Sequence, residues 1–313
     1  MSTVQGPDAS QASVPFLLKF WGVRGSIPTP GPTTVQYGGN TSCIELRTAG
    51  QIIILDAGTG LRLLGHALTS EFGEQPLDLT LLLTHTHWDH IQGLPFFLPV
   101  YQPQNRLRIL GYEGARVGLE RVLNSQMESP FFPIGLNQVP ANIRIEELKQ
   151  WDFDLNGVRV QARYACHPGV CVGYRLSSGG HSVVFFPDNE LPSSEEALRL
   201  AGQLSQRTPS ALPNGGPNLV EFIRGADALV MDAQYDSHEY EHHVGWGHGC
   251  VDRVVRLAIE TNVRRLFLFH HDPNHDDDTI SRMVTQARKL ASSLGSTLIV
   301  DAACEGLTVE VSG

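Results

Sequence analysis

Four titratable side chains are crowded into six positions directly behind an apolar run. They lie in LLLTHTHWDHIQG, residues 81–93, and are His85, His87, Asp89 and His90. Residues two apart on an extended strand end point the same way, so His85 and His87 can bind one ion. Past the turn, the chain can direct Asp89 and His90 toward a second ion. Neutral imidazole and carboxylate are ligands that Zn²⁺, Mn²⁺ and Fe²⁺ accept.

The run before this motif argues against a chance cluster of surface histidines. LTLLLT, residues 79–84, predicts a strand buried in the core. Four polar groups at the end of such a strand would be costly unless they were paired or bound to metal. The stretch therefore predicts a metal site.

The composition favours a soluble cytoplasmic protein. No apolar run approaches the roughly 18 residues of a membrane-spanning helix. Residues 1–14 lack the pattern of a signal peptide, and we expect a disordered leader there. The five cysteines are an odd number scattered through 313 residues, which favours free thiols in a reducing compartment. A net charge of −10 argues against long RNA or DNA as a partner.

Twelve strand-like runs with helical patterns between them predict a single mixed α/β domain over residues 15–313. Helices are predicted over 60–70, 194–206, 249–262 and 280–291. Prolines and aromatic residues mark 94–150 as an insertion, and turn-forming residues mark 207–217 as another. The polar clusters directly follow strands, where layered α/β folds usually place their sites.

The His-x-His-x-Asp-His motif at 85–90 resembles the signature of the metallo-β-lactamase superfamily, and the resemblance covers roughly residues 16–313. The other family motifs are matched by Asp56 in IIILDAGTG, His167 in YACHPG, Asp188 in VVFFPDNE and His270 in RLFLFHHDP. The resemblance implies a four-layer αββα fold, in which two packed β-sheets lie between outer helices.

The resemblance also implies a binuclear metal centre with a defined ligand set. One ion would be bound by His85, His87 and His167, the other by Asp89, His90 and His270, with Asp188 between them. Asp56 would support the site without binding a metal. Zn²⁺ is favoured, and Mn²⁺ or Fe²⁺ would suit the same ligands. His271 is adjacent to His270 and is the alternative last ligand; His242, His243 and His275 are expected to be solvated or supporting groups.

Three features favour a resemblance to the phosphodiesterase branch of this superfamily. The fourth motif is an aspartate, where the resistance β-lactamases have a cysteine. His248, in WGHG before the 249–262 helix, resembles the histidine of ribonuclease Z and related phosphodiesterases that protonates the leaving oxygen. Asp232 would pair with it, although that branch usually has a glutamate here; otherwise His248 would only cap the helix. The opening FWGVRGSIPTPGP resembles the phosphoribosyl cyclic phosphate phosphodiesterase group.

The implied function is metal-dependent hydrolysis of a small phosphodiester, such as a cyclic nucleotide or a cyclic ribose phosphate. Asp89, Asp232 and His248 would be catalytic. Arg24 could clamp the phosphate or form a structural ion pair. Asn40 or Ser42 could donate to the substrate or only form a turn.

Two alternatives have different requirements. A lactone, thioester or β-lactam hydrolase would use the same metal centre without needing the Asp232–His248 pair. A metal-binding sensor would need no activity, although a complete ligand set argues against it. The exact substrate, the metal and the oligomeric state are left open, and the aromatic-rich segment 94–150 could be a homodimer surface or a lid.

Overall fold

Two seven-stranded β-sheets form the centre of the molecule in the computed structural model. The structure describes residues 16–48, 50–112, 118–193 and 219–312. The predicted leader 1–14, helix 194–206 and loop 207–217 lie outside the described residues. Within the described residues, no helix is long and apolar enough to cross a membrane.

The first sheet has the strand order β14-β1-β2-β3-β4-β5-β6. Its strands are β1 (Phe16–Gly22), β2 (Cys43–Thr48), β3 (Gln51–Leu55), β4 (Asp78–Leu83), β5 (Arg106–Gly111), β6 (Asn142–Glu147) and β14 (Thr308–Val311). The neighbours from β3 to β6 are parallel, and the others are antiparallel.

The second sheet has the order β13-β12-β11-β10-β9-β8-β7. Its strands are β7 (Asp152–Leu155), β8 (Val158–Tyr164), β9 (Val172–Ser178), β10 (His181–Phe186), β11 (Ala228–Asp232), β12 (Arg265–Phe269) and β13 (Ile299–Ala302). The strands from β10 to β13 are parallel. Each sheet therefore contains a parallel half, whose strands end at a common edge.

Helices cover the outer faces of both sheets. They are α1 (Gly60–Phe72), α2 (Trp88–Ile91), α3 (Leu119–Ser125), α4 (Leu219–Ile223), α5 (Ser237–His243), α6 (Val251–Glu260) and α7 (Asp277–Ser293). Short 3₁₀ turns lie at Leu94–Phe96, Leu98–Tyr101 and Leu136–Gln138. Leucines of α1 pack on the first sheet, while α6 and α7 pack on the second. A separate hydrophobic core lies between the two sheets. The layers are therefore helices, sheet, sheet and helices, which is the predicted four-layer αββα fold.

Helix α7 shows how local sequence sets these elements. The Asp276 side chain caps its first turn by accepting from the Thr279 amide, 2.8 Å away. Asp277 and Asp278 then place negative charge at the helix N-terminus. The predicted apolar stripe is buried at Ile280, Met283, Val284, Ala287 and Ala291.

All twelve predicted runs form strands, but the sequence missed β6 and β7. Both lie at sheet edges, and their sequences NIRIEE and DFDL alternate charged with apolar residues. The segment 94–150 also differs from the predicted insertion, because it contributes β5 and β6 to the first sheet. Its apolar residues at 107 and 109 are therefore part of the core under α1.

The core between the sheets generates a stability prediction. Phe20 is fully buried and lies 5.1 Å from Phe267 and 6.3 Å from Phe269, measured between ring centroids. Phe20→Ala should lower the free energy of unfolding by about 3–5 kcal/mol, because it leaves a cavity where the sheets meet. Urea unfolding measures this change. Phe131→Ala, at a side chain that is 82% exposed, is the control; a similar small loss in both variants would contradict the packing described.

Candidate metal centre

Seven histidine and aspartate side chains meet where the parallel strands of the two sheets end. Their ligand atoms form two groups, each within 4.8 Å: His85, His87, His167 and Asp188, and then Asp89, His90 and His270. A third group of the same kind joins Asp188 and His270 to His248. The first group joins the ends of β4 and β10 to the loop between β8 and β9. The second joins α2 to the end of β12. The first two groups contain the residues that the sequence predicted for the two ions, and their binding of metal stays a prediction.

Asp188 lies between the two groups and directs one carboxylate oxygen at each. Its Oδ2 is 3.7 Å from His85 Nε2 and 3.6 Å from His167 Nε2. Its Oδ1 is 3.0 Å from His90 Nε2 and 3.3 Å from His270 Nε2. A carboxylate placed in this way could bind two cations at once.

Several atoms of the cluster are buried without a hydrogen bond of suitable geometry, although His90 Nε2 and Asp188 Oδ1 lie 3.0 Å apart. Among the described residues these include His85 Nε2, His90 Nε2 and Asp188 Oδ1. A buried polar atom without a partner costs about 1–3 kcal/mol. Divalent transition metals accept imidazole nitrogen and carboxylate oxygen, so cations here would satisfy all three atoms. The donor set therefore fits the metals that the sequence implied.

Burial and charge act differently on the two groups. Burial lowers the pKa of His85 well below its ordinary value and that of His167 to about 4, so both are neutral imidazoles. Burial also opposes charge on His90 and His270, but Asp188 and Asp89 outweigh it. They raise the pKa of His90 well above its ordinary value and that of His270 to about 9. A bound cation would take the place of those protons.

Asp56 supports the cluster from behind. It is fully buried, and its Oδ2 lies 2.7 Å from His90 Nδ1. The same carboxylate accepts from the Ser42 hydroxyl and from the Thr84 amide and hydroxyl. Because His90 Nδ1–H donates to it, Asp56 fixes the ring with Nε2 facing Asp188. Asp56 thus contacts a residue of the cluster, and its support of a metal ligand stays a prediction.

His270, and not His271, faces the cluster. The Nδ1 atom of His270 is 3.1 Å from Gln234 Oε1, and its Nε2 is 3.3 Å from Asp89 Oδ2. Its backbone is in the left-handed region, with φ +60°. His271 Nε2 instead donates to the Ala303 carbonyl, 2.9 Å away.

His248 and Asp232 form a close pair beside Asp188. His248 Nδ1 is 2.9 Å from Asp232 Oδ2 and 4.0 Å from Asp188 Oδ2. Asp232 is fully buried, and it also accepts from the backbone amides of Gln234 and Asn189. The shorter aspartate therefore reaches His248 where the branch usually has a glutamate. The N-cap position of α6 is Cys250, so His248 is not the cap.

The Beta-lactamase superfamily domain matches residues 51–205 of the chain. This segment includes the His-x-His-x-Asp-His motif, His167 and Asp188. The chain carries a beta-lactamase superfamily domain. The match confirms the superfamily domain that the sequence predicted for this segment, and the two-sheet architecture confirms the predicted fold.

Similar proteins include enzymes that act on nucleic acid or phosphate. Ribonuclease Z of Archaeoglobus fulgidus is 24% identical over 304 residues, which cover 88% of this chain and 93% of that protein. The metallo-β-lactamase fold protein YhfI from Bacillus subtilis has a TM-score of 0.64 at 17% identity and covers 95% of this chain and 99% of its own. A diphosphatase from the PhnP family has a TM-score of 0.60 at 17% identity, with 95% and 98% covered. The relatives confirm the expected class of hydrolase, and the structural likeness shows the fold.

Three residues that could have contacted substrate are used inside the metallo-β-lactamase fold. Arg24 is fully buried and donates to the carbonyls of Gly38, Asp272 and His275. Among the described residues its hydrogen-bond partners are backbone oxygens of three loop residues, which fits neither a phosphate clamp nor an ion pair.

Asn40 donates from its backbone and side chain to Glu305, while the Ser42 hydroxyl donates to Asp56. They therefore fix loops instead of facing the cluster. His271 and His275 are also buried, at 3% and 5% exposure, which excludes the solvated alternative for both and leaves the supporting one. The five cysteines are free thiols, as predicted.

Sequence reasoning missed three groups that position the ligands. Gln234 accepts from His270, and its Nε2 donates to Asp272. The Ser26 amide donates to Asp89 Oδ2 at 2.8 Å. The third group is Thr84, which donates to Asp56. Of the three, only Thr84 lies beside the motif in the sequence, directly before its first histidine. The contacts of Gln234 and Ser26 join residues far apart in the chain.

The contacts of Asp56 generate a prediction about metal affinity. An asparagine tolerates the φ of +60° at this position, so Asp56→Asn should keep the turn. Whichever carboxylate oxygen the asparagine NH₂ replaced, it would face the hydrogen-bond donors that now point at Asp56. His90 would lose the partner that orients its ring. The metal dissociation constant should therefore rise by roughly 10–100-fold, as measured by chelator competition.

Ser42→Ala is the matched control, because it removes one donor to Asp56 and leaves the carboxylate in place. It should change the dissociation constant by much less than Asp56→Asn. Unchanged metal affinity and activity in Asp56→Asn would show that Asp56 serves only the turn.

Proposed function

We propose that the protein is a binuclear metal-dependent phosphodiesterase that cleaves a small phosphodiester. The observation that carries this proposal is the 2.9 Å contact between His248 and Asp232, directly beside Asp188. Such a pair supplies a positioned proton donor next to the place where a substrate would bind metal. We propose the metal ligands and the catalytic residues together with this activity.

One ion would be bound by His85, His87 and His167, a second by Asp89, His90 and His270, with Asp188 shared. When bound, two divalent cations activate a water and neutralise phosphoryl oxygens as charge moves to the leaving group. Zn²⁺ is the favoured metal, while Mn²⁺ or Fe²⁺ suit the same donors.

Side chains of the protein would orient the reacting groups and transfer one proton. Asp232 accepts from His248 Nδ1–H and thereby fixes the tautomer of the ring. His248 Nε2 would then donate a proton to the leaving oxygen. Two backbone amides hold the Asp232 carboxylate, so the ring has little freedom to turn away. Asp89 is held in the same manner by the Ser26 amide.

A small substrate is favoured by the charge of the chain. A net charge of −10 gives no broad attraction for a polyanion, whereas a metal pair can bind one phosphoryl group locally. Within the His-x-His-x-Asp-His motif, His87 and Trp88 are exposed, Trp88 to 77%. A compact phosphodiester, such as a cyclic nucleotide or cyclic ribose phosphate, could reach the cluster there.

A second candidate is cleavage of RNA, which the likeness to ribonuclease Z over 88% of this chain favours. Lactone, thioester or β-lactam hydrolysis is a third, and it would leave the pair of Asp232 and His248 without a role. A hydrolysis screen of the metal-loaded protein separates them. It should include cyclic nucleotides, bis(p-nitrophenyl) phosphate, a precursor tRNA, a lactone and a β-lactam. Turnover of lactone but of no phosphodiester would overturn the proposal.

His248 generates a prediction that depends on the leaving group. An alkoxide needs a positioned acid, which should contribute about 10²–10⁴-fold to the rate, whereas nitrophenolate leaves readily. His248→Ala should therefore lower kcat strongly on a cyclic phosphodiester and much less on bis(p-nitrophenyl) phosphate, with metal content unchanged. Asp232→Asn should show a milder form of the same difference, because the histidine stays but loses its partner.

The matched control is His242→Ala, which removes an exposed histidine of α5 and should change neither rate. Equal losses of His248→Ala on both substrates would mean that His248 holds the site together and does not act as an acid.

A further inference from the structure

The loop between α5 and α6 carries His248 and has an unusual backbone. Its sequence is VGWGHGC, residues 244–250, and two of its glycines have positive φ, +89° at Gly245 and +88° at Gly247. Left-handed backbone of this kind favours glycine. The result is that the amides of Gly245 and Gly247 point at the same side chain.

That side chain is Glu190, which is 2% exposed and lies two residues beyond Asp188. Its Oε1 accepts from the Gly245 amide at 2.8 Å and from the Tyr240 hydroxyl at 2.7 Å. Its Oε2 accepts from the Gly247 amide at 2.9 Å. A buried carboxylate is costly unless it is hydrogen-bonded in this way, and bonds to an ionised acceptor are the stronger ones.

The same loop contacts the metal side of the cluster. The Gly247 carbonyl accepts from His167 Nδ1–H, with 3.0 Å between the atoms. A Cβ atom at Gly247 would lie only 2.4 Å from Pro168 Cδ and 2.5 Å from His167 Nδ1. The position of the Gly247 peptide therefore sets the orientation of the His167 ring. The residue that follows this peptide in the chain is His248.

We propose that Glu190 is a positioning residue that places the proposed ligand His167 and the proposed acid His248 together. It binds neither metal nor substrate and acts through the amides of Gly245 and Gly247. This inference rests on the proposed function for the role of His248, but the link to His167 concerns metal binding alone. A residue that only stabilised the fold would change neither metal affinity nor the preference for leaving groups.

Glu190→Gln in the full-length protein tests this role, since it keeps the size and removes the charge. With one oxygen replaced by NH₂, at least one glycine amide loses its acceptor. We expect metal affinity from chelator competition to fall by roughly tenfold or more. We expect kcat on a cyclic phosphodiester to fall by roughly 10–100-fold, with less change on bis(p-nitrophenyl) phosphate and little change in KM. Hydrogen exchange at the Gly245 and Gly247 amides should accelerate.

Tyr240→Phe is the matched control, because it removes one neutral donor to the same carboxylate and leaves both glycine amides bonded. It should stay close to the parent protein in metal affinity and kcat. Gly247→Ala is the second variant if Glu190→Gln does not fold, and it should weaken metal affinity by displacing His167. Unchanged metal affinity and leaving-group preference in a folded Glu190→Gln protein would overturn the proposal.

Failure of the proposed function would look different. If the parent protein cleaves no phosphodiester, the acid role of His248 is lost, while metal affinity and amide exchange in Glu190→Gln still decide whether Glu190 positions His167. Normal metal affinity and normal exchange in that variant would then reject the positioning role on its own evidence.

Discussion

The rest of the site depends on the burial of one carboxylate, Asp188, which is 1% exposed and has five imidazoles within 4.0 Å. An ionised carboxylate at such depth needs positive charge or hydrogen bonds directed at it. Burial opposes the ionised form, yet the surrounding histidines hold the pKa of Asp188 well below its ordinary value. Imidazole nitrogens and carboxylate oxygens are gathered there, and several of these atoms lack a hydrogen bond of suitable geometry. Divalent cations are the species that would satisfy this arrangement most completely.

The fold meets this constraint by bringing the ends of parallel strands from both sheets to one edge. Asp56 follows β3, and His270 follows β12; both non-glycine residues have φ +60°. Such a conformation costs about 1–3 kcal/mol and persists only where the surroundings fix it. Here the hydrogen bonds that Thr84 and His90 donate to Asp56, and that His270 donates to Gln234, fix both turns. The backbone strain is therefore located at residues that face or support the cluster.

The sequence predicted the fold, and it drew attention to the seven residues of the cluster because each directly follows or flanks an apolar run; their role as metal ligands stays a prediction. It did not predict β6 and β7, since exposed edge strands lack a continuous apolar pattern. It also did not predict what Arg24 and Glu190 do. Their partners lie as far as 251 residues away for Arg24 and 57 for Glu190, so only the folded chain defines them. The sequence around Arg24 would look the same whether its side chain were buried against carbonyls or exposed to bind a phosphate.

Metal content is the measurement that tests the central claim most directly. Elemental analysis of purified, active protein should give close to two transition-metal ions per chain. Asp188→Ala should bind clearly fewer ions and lose hydrolysis, because both groups of ligands lose their shared carboxylate. His85→Ala should likewise lower the occupancy, through the first group alone. Active protein without bound metal, or full metal content in Asp188→Ala, would contradict the account.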